Sequence, residues 1–110
     1  MPDRDSLNLS PDEMRALGYR VIDMLVDHFE ELPRKPVTRK GNREDLEGRL
    51  SEPLPVDGSS AHEVLDTLET DVFRNIMHAD HPRFFAFVPG PSNFVGAMAD
   101  ALASGFNVFA

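Results

Sequence analysis

Fourteen residues, His81-Pro82-Arg83-Phe84-Phe85-Ala86-Phe87-Val88-Pro89-Gly90-Pro91-Ser92-Asn93-Phe94, constrain this chain more than any others. They hold four phenylalanines, three prolines and a glycine. A helix cannot run through them, because Pro82, Pro89 and Pro91 lack an N–H and clash with the preceding turn. His81, Val88 and Gly90, each before a proline, are pushed toward extended backbone. In an extended segment Phe85 and Phe87 share one face, and Phe84, Ala86 and Val88 share the other. Both faces are apolar, so the segment expects cover on both sides. Connecting loops usually run over the surface, so this one reads as a buried wall or as an anchor for a partner.

Upstream, the periodicities are helical. Ser10-Pro11-Asp12-Glu13 combines a cap, a proline suited to the first helical position and the glutamate of a Ser-x-x-Glu capping box. Leu9 and Met14 are spaced for a hydrophobic staple. Met14, Leu17, Val21, Met24, Leu25 and Leu32 recur at three- and four-residue steps, widened by Ile22 and Phe29. The pattern predicts a helix over about 11–32, stopped by Pro33, with a stripe broader than one neighbour requires. Gly18 inside it costs roughly 1 kcal/mol against alanine, which implies either close approach of another backbone or a tolerated defect.

Residues 33–60 read as a linker punctuated by Pro33, Pro36, Pro53 and Pro55. A short helix over 44–50, capped by Asn42, fits inside it. Arg34, Lys35, Arg39, Lys40 and Arg43 concentrate cations there, read as a solvated strip facing an acidic protein in preference to an anion site. A second capping box, Ser60-Ala61-His62-Glu63, opens a helix over about 61–77. Leu65, Leu68, Val72 and Ile76 carry its apolar period, while Asp66, Glu69, Thr70 and Arg74 take its wet face. Beyond the phenylalanine loop, Ser92 or Asn93 caps a third helix from Phe94. Gly96, Ala97, Ala99, Ala101, Ala103 and Ser104 would let a neighbour approach it closely. Gly105 is placed as its stop. The expected class is all-α: three helices with an extended Pro-rich loop.

A net charge of −8 argues against a nucleic-acid binder, which would carry a basic face. With no cysteine there is neither a disulfide framework nor a thiolate metal site. Met1–Asp5 lacks the apolar core of a signal peptide, and no apolar run approaches the roughly 18 residues that span a bilayer. A cytoplasmic protein is the expectation. The apolar end, Phe106–Ala110, reads as a truncation, since termini are usually exposed.

His81-Pro82-x-Phe84-Phe85-Ala86, then Pro89, then Ala97-Met98-Ala99-Asp100-Ala101-Leu102, resembles the N-terminal region of the group II pyridoxal-phosphate-dependent amino-acid decarboxylases, which include the aromatic-amino-acid and tyrosine decarboxylases. The likeness covers most of the chain and is strongest over 81–109. It implies a fold-type I enzyme of several hundred residues. In that enzyme 1–80 would be a helical dimerisation segment, and 81–110 the loop and helix leading into a cofactor domain. It also implies a homodimer formed through the three helices, an amino-acid substrate and pyridoxal phosphate in the full-length protein.

Pyridoxal phosphate is held by a lysine. Lys35 and Lys40, both in the polar linker, are the only lysines, and neither resembles the family's cofactor lysine. No catalytic or cofactor-binding residue is therefore assigned within this segment, and alone it is expected to be inactive and to hold no cofactor. Through the resemblance, Phe87, Val88, Pro89 and Gly90 match the substrate-side loop. Animal aromatic decarboxylases look like Tyr-Phe-Pro-Thr at these positions, so only the proline is shared and a hydroxyl is missing at Gly90.

His78, Asp80 and His81 raise the question of a metal. A zinc site needs three or four converging ligands, and with His81 held by Pro82 the two histidines need not converge, so no metal is assigned. His81 is read as orienting the turn, His28 as a packed histidine and His62 as solvated. Asp100, in an otherwise apolar helix, is read as a structural acid needing a backbone N–H or an arginine. Arg83 is either that partner or a contact for a substrate carboxylate. The competing class is a stand-alone helical interaction module that grips a partner with the phenylalanine loop. A third class, a ligand-binding bundle, would need more inward polar groups than Asp100.

Overall fold

Side-chain caps set where each helix begins. In this computed structural model, which describes residues 7–87 and 90–107, the Ser10 hydroxyl accepts from the Glu13 N–H at 3.2 Å and the Glu13 carboxylate accepts from the Ser10 N–H at 2.9 Å. That capping box opens α1, Pro11–Glu31, which passes into a 3-10 turn, Leu32–Arg34. Asn42 caps α2, Arg43–Leu50, through a 2.8 Å bond from the Glu44 N–H. The Ser60–Glu63 box opens α3, Ala61–Thr67. Asn93, rather than Ser92, caps α4, Phe94–Phe106, accepting from the Gly96 N–H at 2.7 Å. The all-α expectation holds: the described residues are helical with no strand, and the short linker helix makes four helices.

Two helix ends and one loop differ from the sequence reading. The second long helix was predicted to reach about 77, but α3 gives way to a π-helical turn over Leu68–Val72, closed by a 2.7 Å bond from the Phe73 N–H to the Leu68 carbonyl. Its own side chains loosen it. The Thr70 hydroxyl and the Asn75 amide donate to the Asp66 and Asp71 carbonyls at 2.9 Å, competing with the ladder as such residues do. At the end of α4, Gly105 stays inside the helix. Asn107 takes the left-handed C-terminal position, at φ 49°, as asparagine tolerates. Finally, Phe84–Phe87 is not a flat two-faced strand. His81–Phe84 is a turn closed by a 3.0 Å bond with Pro82 at its second position, and Phe87 has φ 60°. The rings of Phe84 and Phe87, predicted on opposite faces, lie 6.4 Å apart.

Packing is sparse. α4 touches α1, and α2 lies against the π turn. Arg20 on α1 donates to the Asp66 carboxylate, to His62 Nδ1 at 3.2 Å and to the His62 carbonyl at 3.0 Å. Arg49 reaches Asp71 at 3.6 Å. Among the described residues Leu32, 5% exposed, is the one buried apolar side chain. Nothing approaches Gly18 within 4 Å of where a Cβ would sit, so its cost is not offset by a close neighbour here. The radius of gyration, 16.9 Å, exceeds the roughly 13 Å of a compact domain this long.

Candidate functional site

The 3-10 turn at the end of α1 and two successive turns, 78–81 and 81–84, meet at a polar joint. His78 donates its N–H to the Val37 carbonyl at 2.8 Å, and its own carbonyl accepts from the His81 N–H at 3.1 Å. His81 is buried and used at both ring nitrogens: Nε2 lies 2.7 Å from the Lys35 carbonyl, and Nδ1 accepts from the Arg83 N–H at 2.9 Å. A carbonyl can only accept and a backbone N–H can only donate, so the ring is the Nε2–H tautomer. Both bonds hold the ring against backbone, at Lys35 and within the turn that precedes the phenylalanine loop.

Beside it, His28 on α1 donates from Nε2 to the Asp80 carboxylate at 3.1 Å. The rings of His28 and His78 are 5.4 Å apart, and His28 also meets Phe29 at 5.3 Å. His78 is buried, and burial is the main cause that lowers its pKa below the ordinary 6.5. The positive charge available to His28 lowers it further, while Asp80 opposes the shift. His28, Asp80 and His78 thus converge from α1 and a loop fifty residues later. The sequence reading grouped His78 and Asp80 with His81 instead, and no local signal points to His28.

A cavity of about 620 Å³ opens beside this joint, between α1, residues 73–78 and the start of α4. Met24, Leu25, Phe29 and Phe73 are among its apolar lining, and its charged lining mixes cations such as Lys35 and Arg39 with the acids Asp27, Glu31 and Glu69. Lys35 Nζ lies 3.6 Å from the Glu31 carboxylate and Arg43 Nε 2.7 Å from Glu47. Part of the cationic linker is thus paired locally, as a solvated strip would be.

The other predicted site residues are spread out. Phe87 is 81% exposed, and Gly90 is exposed with open space around it; Val88 and Pro89 lie outside the described residues. Asp100 is exposed and has no polar partner among the described residues, and Arg83 gives its backbone N–H to His81. On α4 the face that carries Asp100 lies open.

The geometry defines an open helical segment whose polar groups are largely joined within it and whose apolar groups are not. No family model matches the chain. It is 50% identical over 105 residues to an aromatic-L-amino-acid decarboxylase of Bacillus atrophaeus, covering 96% of this chain and 22% of that protein. It is 31% identical over 100 residues to tyrosine/DOPA decarboxylase 1 of Papaver somniferum, covering 91% of this chain and 19% of that protein. The Rhodiola rosea 4-hydroxyphenylacetaldehyde synthase shares the fold at a TM-score of 0.78 and 24% identity, covering 91% of this chain and 21% of the synthase. The chain matches the N-terminal region of the group II pyridoxal-phosphate-dependent amino-acid decarboxylases. It spans about a fifth of the length of these relatives.

Proposed function

We propose that this chain is the leading segment of a pyridoxal-phosphate-dependent amino-acid decarboxylase. Its own work is to join two subunits and to wall the entrance to their active sites. The observation that carries this reading is surplus surface. The chain exposes 9325 Å², against roughly 6,100 Å² for a folded monomer of its mass. Obligate dimer interfaces bury roughly 2,000–5,000 Å² summed over both partners, so an excess of about 3,200 Å² on one chain exceeds one partner's share and leaves area for the remainder of the parent chain. Its character is apolar: Phe85 is 90% exposed, Leu102 62% and Phe106 78%.

The residues of this segment do not fit the cofactor. Lys35 is paired with Glu31, and Lys40 is exposed in the linker. Pyridoxal phosphate, which acts as an electron sink when bound, belongs in this reading to the remainder of the parent chain. The contribution of Phe87–Gly90 is a wall. The left-handed backbone of Phe87 costs roughly 1–2 kcal/mol, and backbone strain of this kind gathers at ligand-facing loops. The stand-alone interaction module rests only on the same exposed phenylalanines.

Light scattering of the full-length protein, paired with CO2 release from aromatic amino acids in the presence of the cofactor, tests the proposal. A dimer with activity is expected. Leu102→Asp, which sets a charge on the open face of α4, is expected to shift the dimer toward monomer and to lower activity with it. A full-length protein that stays monomeric at high concentration while active would overturn the dimerising role.

A further inference from the structure

We propose that His28, His78 and Asp80 form a binding site for a divalent first-row metal ion such as zinc, which would clamp the 78–81 turn to α1. Each residue offers one ligand atom, and the three atoms all lie within 4.8 Å of one another. One pair is already near the required spacing: His28 Nε2 and Asp80 Oδ2 are 3.1 Å apart. Tetrahedral zinc with bonds of about 2.0–2.2 Å puts its ligands about 3.3–3.5 Å apart, so closure asks for side-chain adjustment alone. Two imidazoles and a carboxylate, with no thiolate, suit zinc, cobalt, nickel or iron.

Two further features favour a site over a chance cluster. The anchors are stiff: the His78 backbone is held at both its N–H and its carbonyl, and His28 leaves a continuous helix. Both histidines also line the 620 Å³ cavity, which leaves room for a fourth ligand from solvent, the arrangement of three-ligand zinc sites. The remaining histidine of the loop is engaged elsewhere, since His81 has committed both nitrogens to backbone partners. Binding would displace the proton that His28 Nε2 now gives to Asp80, so metal uptake releases protons.

The test is a cobalt(II) titration of the untagged full-length protein, stripped with chelator, followed by its visible ligand-field bands and by competition with zinc. One equivalent per chain is expected, together with a rise in melting temperature on adding zinc. His28→Ala, His78→Ala and Asp80→Asn are each expected to weaken binding at least about tenfold, while His62→Ala, at an exposed histidine outside the cluster, leaves it unchanged. Asp80→Asn keeps the side chain's size and removes its charge, so it decides the matter should an alanine variant fail to fold. Absence of a stoichiometric site in the parent protein, or undiminished binding in Asp80→Asn, would overturn the proposal.

Discussion

The joint at the end of α1 and the helix α4 contrast within one short chain. At the joint, Leu32, His78 and His81 are the buried side chains, and polar atoms there have partners: His81 alone engages Lys35 and Arg83. Along α4 the composition is apolar, yet most of the helix is exposed, including its last residue, Phe106. A self-sufficient domain does the reverse, hiding its apolar groups and leaving polar ones to water. The difference teaches that hydrogen bonding fixes the local shape of this segment, while most of its apolar surface is left uncovered among the described residues. The two regions should therefore answer differently to the same kind of substitution.

The largest expected effect is at Leu32. Leu32→Ala empties the one buried apolar position among the described residues and should cost about 2–4 kcal/mol, read as a lower urea midpoint for the region containing α1. Leu102→Ala, the same change on α4, should move the fold of a separated segment by no more than about 0.5 kcal/mol. In the full-length protein the proposed dimer covers this side chain, and on that proposal the change should cost several times as much. Equal costs in segment and full-length protein would erase the contrast. Next comes His81→Ala, which strands the Lys35 carbonyl and the Arg83 N–H. Two lost bonds in a buried setting should cost about 2–3 kcal/mol, and hydrogen exchange should report faster exchange of the His78 and Phe84 amides. Arg20→Gln sharpens the comparison from the exposed side. It unclips α1 from α3, but Asp66 is largely in water, so about 1 kcal/mol or less is expected, falling further with added salt.

How much of this was legible in the chain follows the distance over which each interaction acts. Ser10, Asn42, Ser60 and Asn93 are caps that act within three residues, and the sequence shows them directly. Pro33 marked the end of α1 to within a residue, for the same local reason. The end of α3 was misread because the leucine–valine period continues past Thr67. Only the competition of the Thr70 and Asn75 side chains for carbonyls shows why the ladder loosens. The His28–Asp80 bond spans 52 positions, and Arg20 reaches His62 and Asp66 over more than forty; no pattern of period or spacing encodes such partners. Asp100 is a different case, since it is exposed here. A carboxylate in an apolar run suggests burial, but that inference holds only where the surrounding face is covered.

The smallest effect expected is that of pH, and it belongs to the joint alone. Burial, aided by His28, lowers the His78 pKa below 6.5, so the folded chain resists a proton that the unfolded chain accepts. Above 6.5 the ring is neutral in both states and the stability it permits is fully present. As pH falls below 6.5 the unfolded state binds protons first and stability drops, and the loss is complete once the folded ring also titrates. Urea midpoints taken from pH 8 down to about 5, above the ordinary carboxylate range, should therefore decline. The decline should be shallower in His78→Gln, and chelator should be present throughout so that protons rather than metal are measured. The α4 face carries no histidine, so its association should not follow this slope. An unchanged slope in His78→Gln would move the pH response away from the joint and leave Leu32 and His81 as its only distinguishing supports.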